Sequence, residues 1–213
     1  MIFPQEHEYS VHGGRNRTYV GRWLFAVAVG VSGWLVILGL SVVDLAKMYG
    51  WNVNTPPAFA SLGTGSLLFY ALYWVLNKYA WRWKWVSIWL KVPNLAGTWD
   101  CQGKKLKADG SVEVTWSGTV KIKQKWDKLH ISLETGRSRS ESLAAALTRD
   151  PAGGFVLLYQ YDNTPRGRER ELAAHMGCAV LWISEDRRSA TADYFNGRGR
   201  MSTGEMVWTK QVQ

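Results

Sequence analysis

This chain of 213 residues holds side chains capable of covalent or metal chemistry, but their spacing does not arrange them for it. Its four histidines, His7, His12, His130 and His175, include no i, i+4 pair and have no neighbouring cysteine cluster, so no metal site is expected. No G-x-S-x-G nucleophile elbow occurs, and Gly197-Arg198-Gly199 lacks the third glycine of a dinucleotide fingerprint. Two cysteines, Cys101 and Cys178, cannot build a disulfide framework and read as small core thiols. With no nucleophile and base in view, no enzyme is expected; the remaining chemistry is that of binding. Tyr159 and Tyr161 share one side of a predicted strand at i, i+2, as flat surfaces for stacking or as ordinary aromatic core. Ser138, Ser140 and Ser142 share a face of a neighbouring strand with Ala144 and Ala146, and such small residues leave room beside them. Arg137 and Arg139 have the opposite parity, and in a turn before that strand they either fold over the end of the sheet or form a solvated hairpin. The same two readings apply to Arg166 and Arg168, and to Arg198 after the Asn196-Gly197 turn. Trp99 is expected to plug an end of the sheet, while Trp116 and Tyr194 suit either a plug or a stacking surface.

These residues need a frame, and the chain supplies one in two unlike parts. From Trp23 to Val43 run 21 consecutive uncharged residues. As a helix they reach roughly 30 Å, the thickness of a bilayer core. A second uncharged stretch, Met48 to Asn77, is divided by Pro56 and Pro57 into a polar entry and an apolar segment from Ala58 to about Leu76. Residues 23–92 are therefore expected to form a transmembrane α-helical hairpin, with residues 1–22 as a segment ahead of it. A cleavable signal peptide fits poorly, because the run is too long and no A-x-A site follows it. Arg15, Arg17 and Arg22 precede the first span and Lys78, Arg82, Lys84 and Lys91 follow the second, against Lys47 alone between them. Both termini are thus expected on the cytoplasmic side. Tyr79 to Leu90, YAWRWKWVSIWL, is expected to continue as an interfacial helix with Trp81, Trp85, Ile88 and Trp89 on one face; as a strand its tryptophans and cations would alternate. Ala26, Gly30 and Gly33 on one span, and Ser61 and Gly65 on the other, form small-residue faces at which helices can associate.

The second part is residues 93–213. Although the whole chain has a net charge of +9, this part has 18 Lys and Arg against 14 Asp and Glu, so its charge demands no DNA or RNA polymer as partner. Alternation from Val112 to Gln124 predicts a half-buried strand, with Val112, Val114, Trp116, Val120 and Ile122 on one face. Further strands are predicted over residues 97–103, 129–134, 140–147, 155–161, 175–183, 188–195 and 204–210, separated by turns such as Asp109-Gly110 and Asn196-Gly197. Eight short strands with hairpin-length connections predict an all-β domain, an antiparallel up-and-down β-barrel whose interior either fills with side chains or holds one small ligand.

Gly97-Thr98-Trp99 is the glycine-x-tryptophan that opens lipocalin-like barrels. Two apolar spans are followed in order by PNLAGTW (Pro93–Trp99), SRSES (Ser138–Ser142), YQY (Tyr159–Tyr161), HMG (His175–Gly177) and DYF with a following glycine (Asp193–Gly197). In this layout the chain resembles the two-transmembrane, β-barrel effectors of CBASS anti-phage defence, proteins associated with cyclic oligonucleotide synthases. The resemblance covers essentially the whole chain. It implies a sensor in the bacterial inner membrane with no cofactor: a cytoplasmic barrel that binds a cyclic dinucleotide, homo-oligomerises through its membrane helices and disrupts the membrane, killing the infected cell. Two bases and two phosphates call for stacking surfaces and for cationic or hydroxyl donors. On that reading the ligand-binding residues are Arg137, Ser138, Ser140, Ser142, Tyr159, Tyr161, Tyr194 and Arg198. The competing expectation is a membrane-tethered lipocalin-like carrier of a lipid or other apolar molecule, which requires an interior of Leu and Val instead.

Overall fold

The computed structural model describes residues 6–51, 57–166, 174–197 and 201–211, with backbone alone over 57–62. Arg15–Trp83 is one compact unit; the described residues through Gly14 and from Lys84 onward form another.

In the first unit, α1 (Arg17–Met48) starts at Asn16, whose side-chain oxygen accepts the Thr18 amide at 2.8 Å. Its length and composition are enough to cross a membrane. Phe25, Trp34, Leu38 and Val42 lie exposed along it, an arrangement that water does not tolerate and lipid does. α2 (Pro57–Lys78) packs on α1, with Phe25 and Phe69 edge to face at 6.3 Å. Small residues also mark where α2 meets α1. Ala28 and Ser32 are buried, and Gly65 faces Ser32. Gly30 and Gly33, by contrast, have no described atom within 4 Å of where a Cβ would stand. The Trp-rich segment is likewise not one helix. A 3-10 turn over Ala80–Arg82 ends at Trp83, whose extended backbone (φ −64°, ψ 136°) interrupts the helical hydrogen bonding before α3 (Lys84–Leu90) begins. Trp81 is consequently buried and no longer in register with Trp85, Ile88 and Trp89.

The second unit is a closed ring of β-strands. All eight expected strands form: β2 (Gly97–Leu106), β3 (Val112–Gln124), β4 (Lys128–Thr135), β5 (Ser138–Arg149), β6 (Phe155–Pro165), β7 (His175–Ile183), β8 (Ser189–Asn196) and β9 (Ser202–Lys210). Each pairs antiparallel with its neighbour in sequence, and β9 returns to β2. A ninth strand, unforeseen in the sequence, is β1 (His7–His12). It enters between β4 and β5 where these splay apart, antiparallel to Leu129 and Lys128 and parallel to Ala145–Thr148. Direct β4–β5 pairing is thereby limited to Ser132, Leu133 and Glu134 against Glu141, Ser140 and Arg139. The ring is thus nine-stranded in part, and not antiparallel throughout.

Side chains fill only one half of the ring. Trp99 and Trp208, their ring centroids 6.4 Å apart, pack there with Ile122, Leu129, Ile131, Leu157 and Leu181. The chain enters at that end and helps to seal it. Val92 and Leu95 are buried, the Gln124 side chain accepts the Leu95 amide and donates to the Pro93 carbonyl, and the Trp99 indole N–H donates to the Leu95 carbonyl. Trp99 is therefore the plug its position suggested. Gly97 takes a positive φ of 133°, which accounts for glycine in the Gly-x-Trp triplet.

Candidate functional site

At the opposite end the ring is hollow, with a cavity of about 430 Å³. Arg137, Ser138, Ser140, Tyr159, Tyr161 and Tyr194 line it, six of the eight residues expected to bind ligand. Tyr159 and Tyr161 lie side by side, ring centroids 5.7 Å apart at 45°, so the pair faces the hollow and also caps the packed half. Burial, reinforced by the neighbouring Tyr161 and Cys101, pushes the Tyr159 phenol well above its usual range. It stays a neutral donor. Tyr161 donates its hydroxyl proton to Asn196 Oδ1 at 2.8 Å. Asn163 donates to Ser140 Oγ at 2.7 Å and to Ser138 Oγ at 3.2 Å. These amides and hydroxyls form a polar collar inside the mouth.

Arg137 sits in the turn between β4 and β5 and reaches the cavity, the first of its two expected placements. Thr135 shapes that turn: its Oγ1 accepts the Ser138 amide and donates to the Ser138 carbonyl. Lys105 pairs with Glu113 at 2.8 Å in the cavity wall, and Arg166, whose amide donates to the Arg137 carbonyl, pairs with Glu134 beside that turn.

Ser142 is placed elsewhere. Its Oγ accepts the buried Ile131 amide at 2.9 Å and lies 2.7 Å from His7 Nε2, tying β1 into the splay of β4 and β5. A β-bulge between Ser142 and Ala144 adds one residue to β5 and reverses its parity. Ala144 is accordingly exposed and Leu147, rather than Ala146, is buried, so the expected run of small inward residues ends at the bulge. Arg198 and Arg168 lie outside the described residues.

Trp116, Asn163, His175 and Asn196 complete the lining that matters for recognition. Asn196 belongs to the predicted Asn196-Gly197 turn, and Asn163 lies past the end of the strand predicted over 155–161. Continuing the parity of Tyr159 and Tyr161 by two residues would have found Asn163, because β6 runs on to Pro165.

Three aromatic rings of the wall share one device: each stands opposite a glycine on the adjacent strand. Trp116 pairs with Gly103, Tyr161 with Gly177 and Tyr194 with Gly204. A Cβ at any of these glycines would collide with its ring, so the missing side chain is the bed on which the ring lies. Trp116 and Tyr194 meet edge to face at 6.1 Å.

A β-ring packed at one end and hollow at the other, with an aromatic and polar wall, defines a receptor for a small polar molecule, joined here to apolar helices. Residues 90–210 match the family described as the Cap15 cyclic dinucleotide receptor domain, and residues 18–82 match its transmembrane helices. A CD-NTase-associated protein 15 from Yersinia aleksiciae is 36% identical over 206 residues, which cover 97% of this chain and 98% of that protein. The chain belongs to the Cap15 family of CBASS effectors.

Proposed function

We propose that the hollow half of the ring binds a cyclic dinucleotide, and that occupancy drives association of the membrane helices and disruption of the bacterial inner membrane. The observation that carries this reading is the wall of the cavity. Tyr, Trp, Ser, Asn and Arg surround a volume within the roughly 300–1,000 Å³ range of small-molecule sites, inside the span that matches the receptor family. Tyr161, Tyr194 and Trp116 offer π-faces for bases, while Arg137, Ser138 and Ser140 offer donors for phosphates. Val114, Leu133 and Met206 also line the cavity, but polar and aromatic side chains outnumber them, which favours a nucleotide over the lipid of a lipocalin-like carrier.

The two apolar helices form a multi-pass anchor with both termini, and the barrel, on the cytoplasmic side, supported by seven cationic residues flanking the spans against Lys47 between them. Gly30 and Gly33, uncovered by α2 among the described residues, are where a second copy approaches. A ligand can drive that approach only by binding the associated form more tightly than the resting one.

Calorimetric titration of the full chain in lipid nanodiscs with a panel of cyclic dinucleotides tests the reading. Saturable heat with at least one member, lost in Tyr161→Ala, is the expected result. No heat with any member would sink it.

A further inference from the structure

Both connections from the β-ring to Arg15–Trp83 leave its packed end. β1 runs parallel to β5, towards the turn at Asp150, and exits through Gly13-Gly14; the other connection is α3, which leads through Val92 and Leu95 into the seal. The two lie side by side, since a Cβ on Gly14 would stand 3.1 Å from the Leu90 carbonyl oxygen. α3 itself has two apolar sides. Leu90 is fully buried and Val86 half-buried, whereas Trp85 is 84% and Ile88 62% exposed. Trp85, Ile88 and Trp89 fall within about 100° of arc at the helical repeat. Lys84 and Lys91 flank them, and Lys91 (φ 57°) turns the chain back towards the seal.

Tryptophan beside lysine, on a short helix that follows the membrane helices in the chain, matches the chemistry of the lipid headgroup zone. The cavity lies at the far end: Gly97 to Lys105 along β2 spans about 26 Å at the strand rise. We propose that the Trp85–Ile88–Trp89 face of α3 beds in the headgroup region, which holds the packed end of the ring against the bilayer and turns the mouth of the cavity away from it. This deepens the reading of the chain as a membrane-tethered receptor by stating how the site meets its ligand: from bulk solution, not by way of the lipid.

The test uses the full chain, reconstituted in vesicles of phosphatidylethanolamine and phosphatidylglycerol, in a Cys178→Ala background. An environment-sensitive fluorophore is placed at Ile88→Cys or, at the tip of the β2–β3 hairpin beside the mouth, at Ala108→Cys; Trp85→Cys provides a second site on α3. Iodide on both sides quenches from water, and lipids spin-labelled near the headgroup quench from the membrane. The proposal expects several-fold stronger lipid quenching at 88 and 85 than at 108, with iodide showing the reverse order. Equal iodide access at 88 and 108 overturns it, as does lipid quenching at 108. Shielding of 88 and 85 from both quenchers also overturns it, and assigns the face to a protein contact such as a second copy. A silent calorimetric titration alongside the expected quenching pattern would reject the ligand and leave this orientation standing.

Discussion

Gly103 decides whether Trp116 can lie against the wall. Gly103→Ala places a methyl group inside the indole, and the neighbouring clash is with a side chain rather than with backbone, so the ring swings into the cavity instead of unfolding the strand. Overpacking of this kind costs about 1–3 kcal/mol. Ligand affinity measured by calorimetry is expected to fall about tenfold or more, with thermal stability reduced far less than by a second change that also clashes with backbone, Gly204→Ala. Cys101 supplies a pH test. Burial holds its thiol at about 12, against 9.0 for a free thiol. Above pH 9 the unfolded chain releases a proton that the native chain retains, so stability falls with rising pH by about 1.4 kcal/mol per unit until the native thiol itself ionises. The buried Tyr159 phenol adds a loss of the same sign once the unfolded tyrosines ionise, above about pH 10. Cys101→Ala should flatten the slope between pH 9 and 10 in denaturation curves; an unchanged slope would show that the thiol is not the titrating group.

At the scale of elements, β1 is held in an unusual place, paired with both β4 and β5. A strand from ahead of the membrane helices inserts beside β4 and β5, and Ser142 is the joint, accepting the Ile131 amide and meeting His7. Ser142→Ala leaves a buried N–H without its acceptor, which costs about 1–3 kcal/mol. Hydrogen exchange should report it locally, with faster exchange at Ile131 and along β1 while β7 and β8 keep their protection; uniform acceleration across all strands would instead indicate global loosening. This joint explains why Ser142 does not line the cavity although its neighbours Ser138 and Ser140 do. Alternation brings all three to one face, but the bulge that follows Ser142 and the arrival of β1 use it for structure. Alternation also accounts for Tyr159, Tyr161 and Tyr194, and turn position for Arg137, so the part of the site that lies on regular strands was legible. Asn163 and Asn196 were not, since an asparagine at a strand end reads as a turn signal until the strand is seen to continue through it.

For the molecule as a whole, binding and membrane damage are separable if the ring receives the signal and the helices deliver it. Gly30→Leu fills the uncovered face of α1 without touching the cavity. In vesicles loaded with dye, this variant should bind cyclic dinucleotide with wild-type affinity but lose most ligand-triggered leakage. Leakage at wild-type level would remove Gly30 from the associating surface. Two apolar runs, a basic excess at their outer ends, eight alternating segments and a Gly-x-Trp opening were all readable from the chain alone, because transfer from water to lipid and the pleat of a strand act within a few consecutive residues. Tertiary contact alone decided that only one half of the ring is hollow, that glycines bed the aromatic rings, and that β1 joins the wall. Those features depend on register between distant strands, as in the bond from His7 to Ser142 across 135 positions, and no local pattern encodes such a pairing.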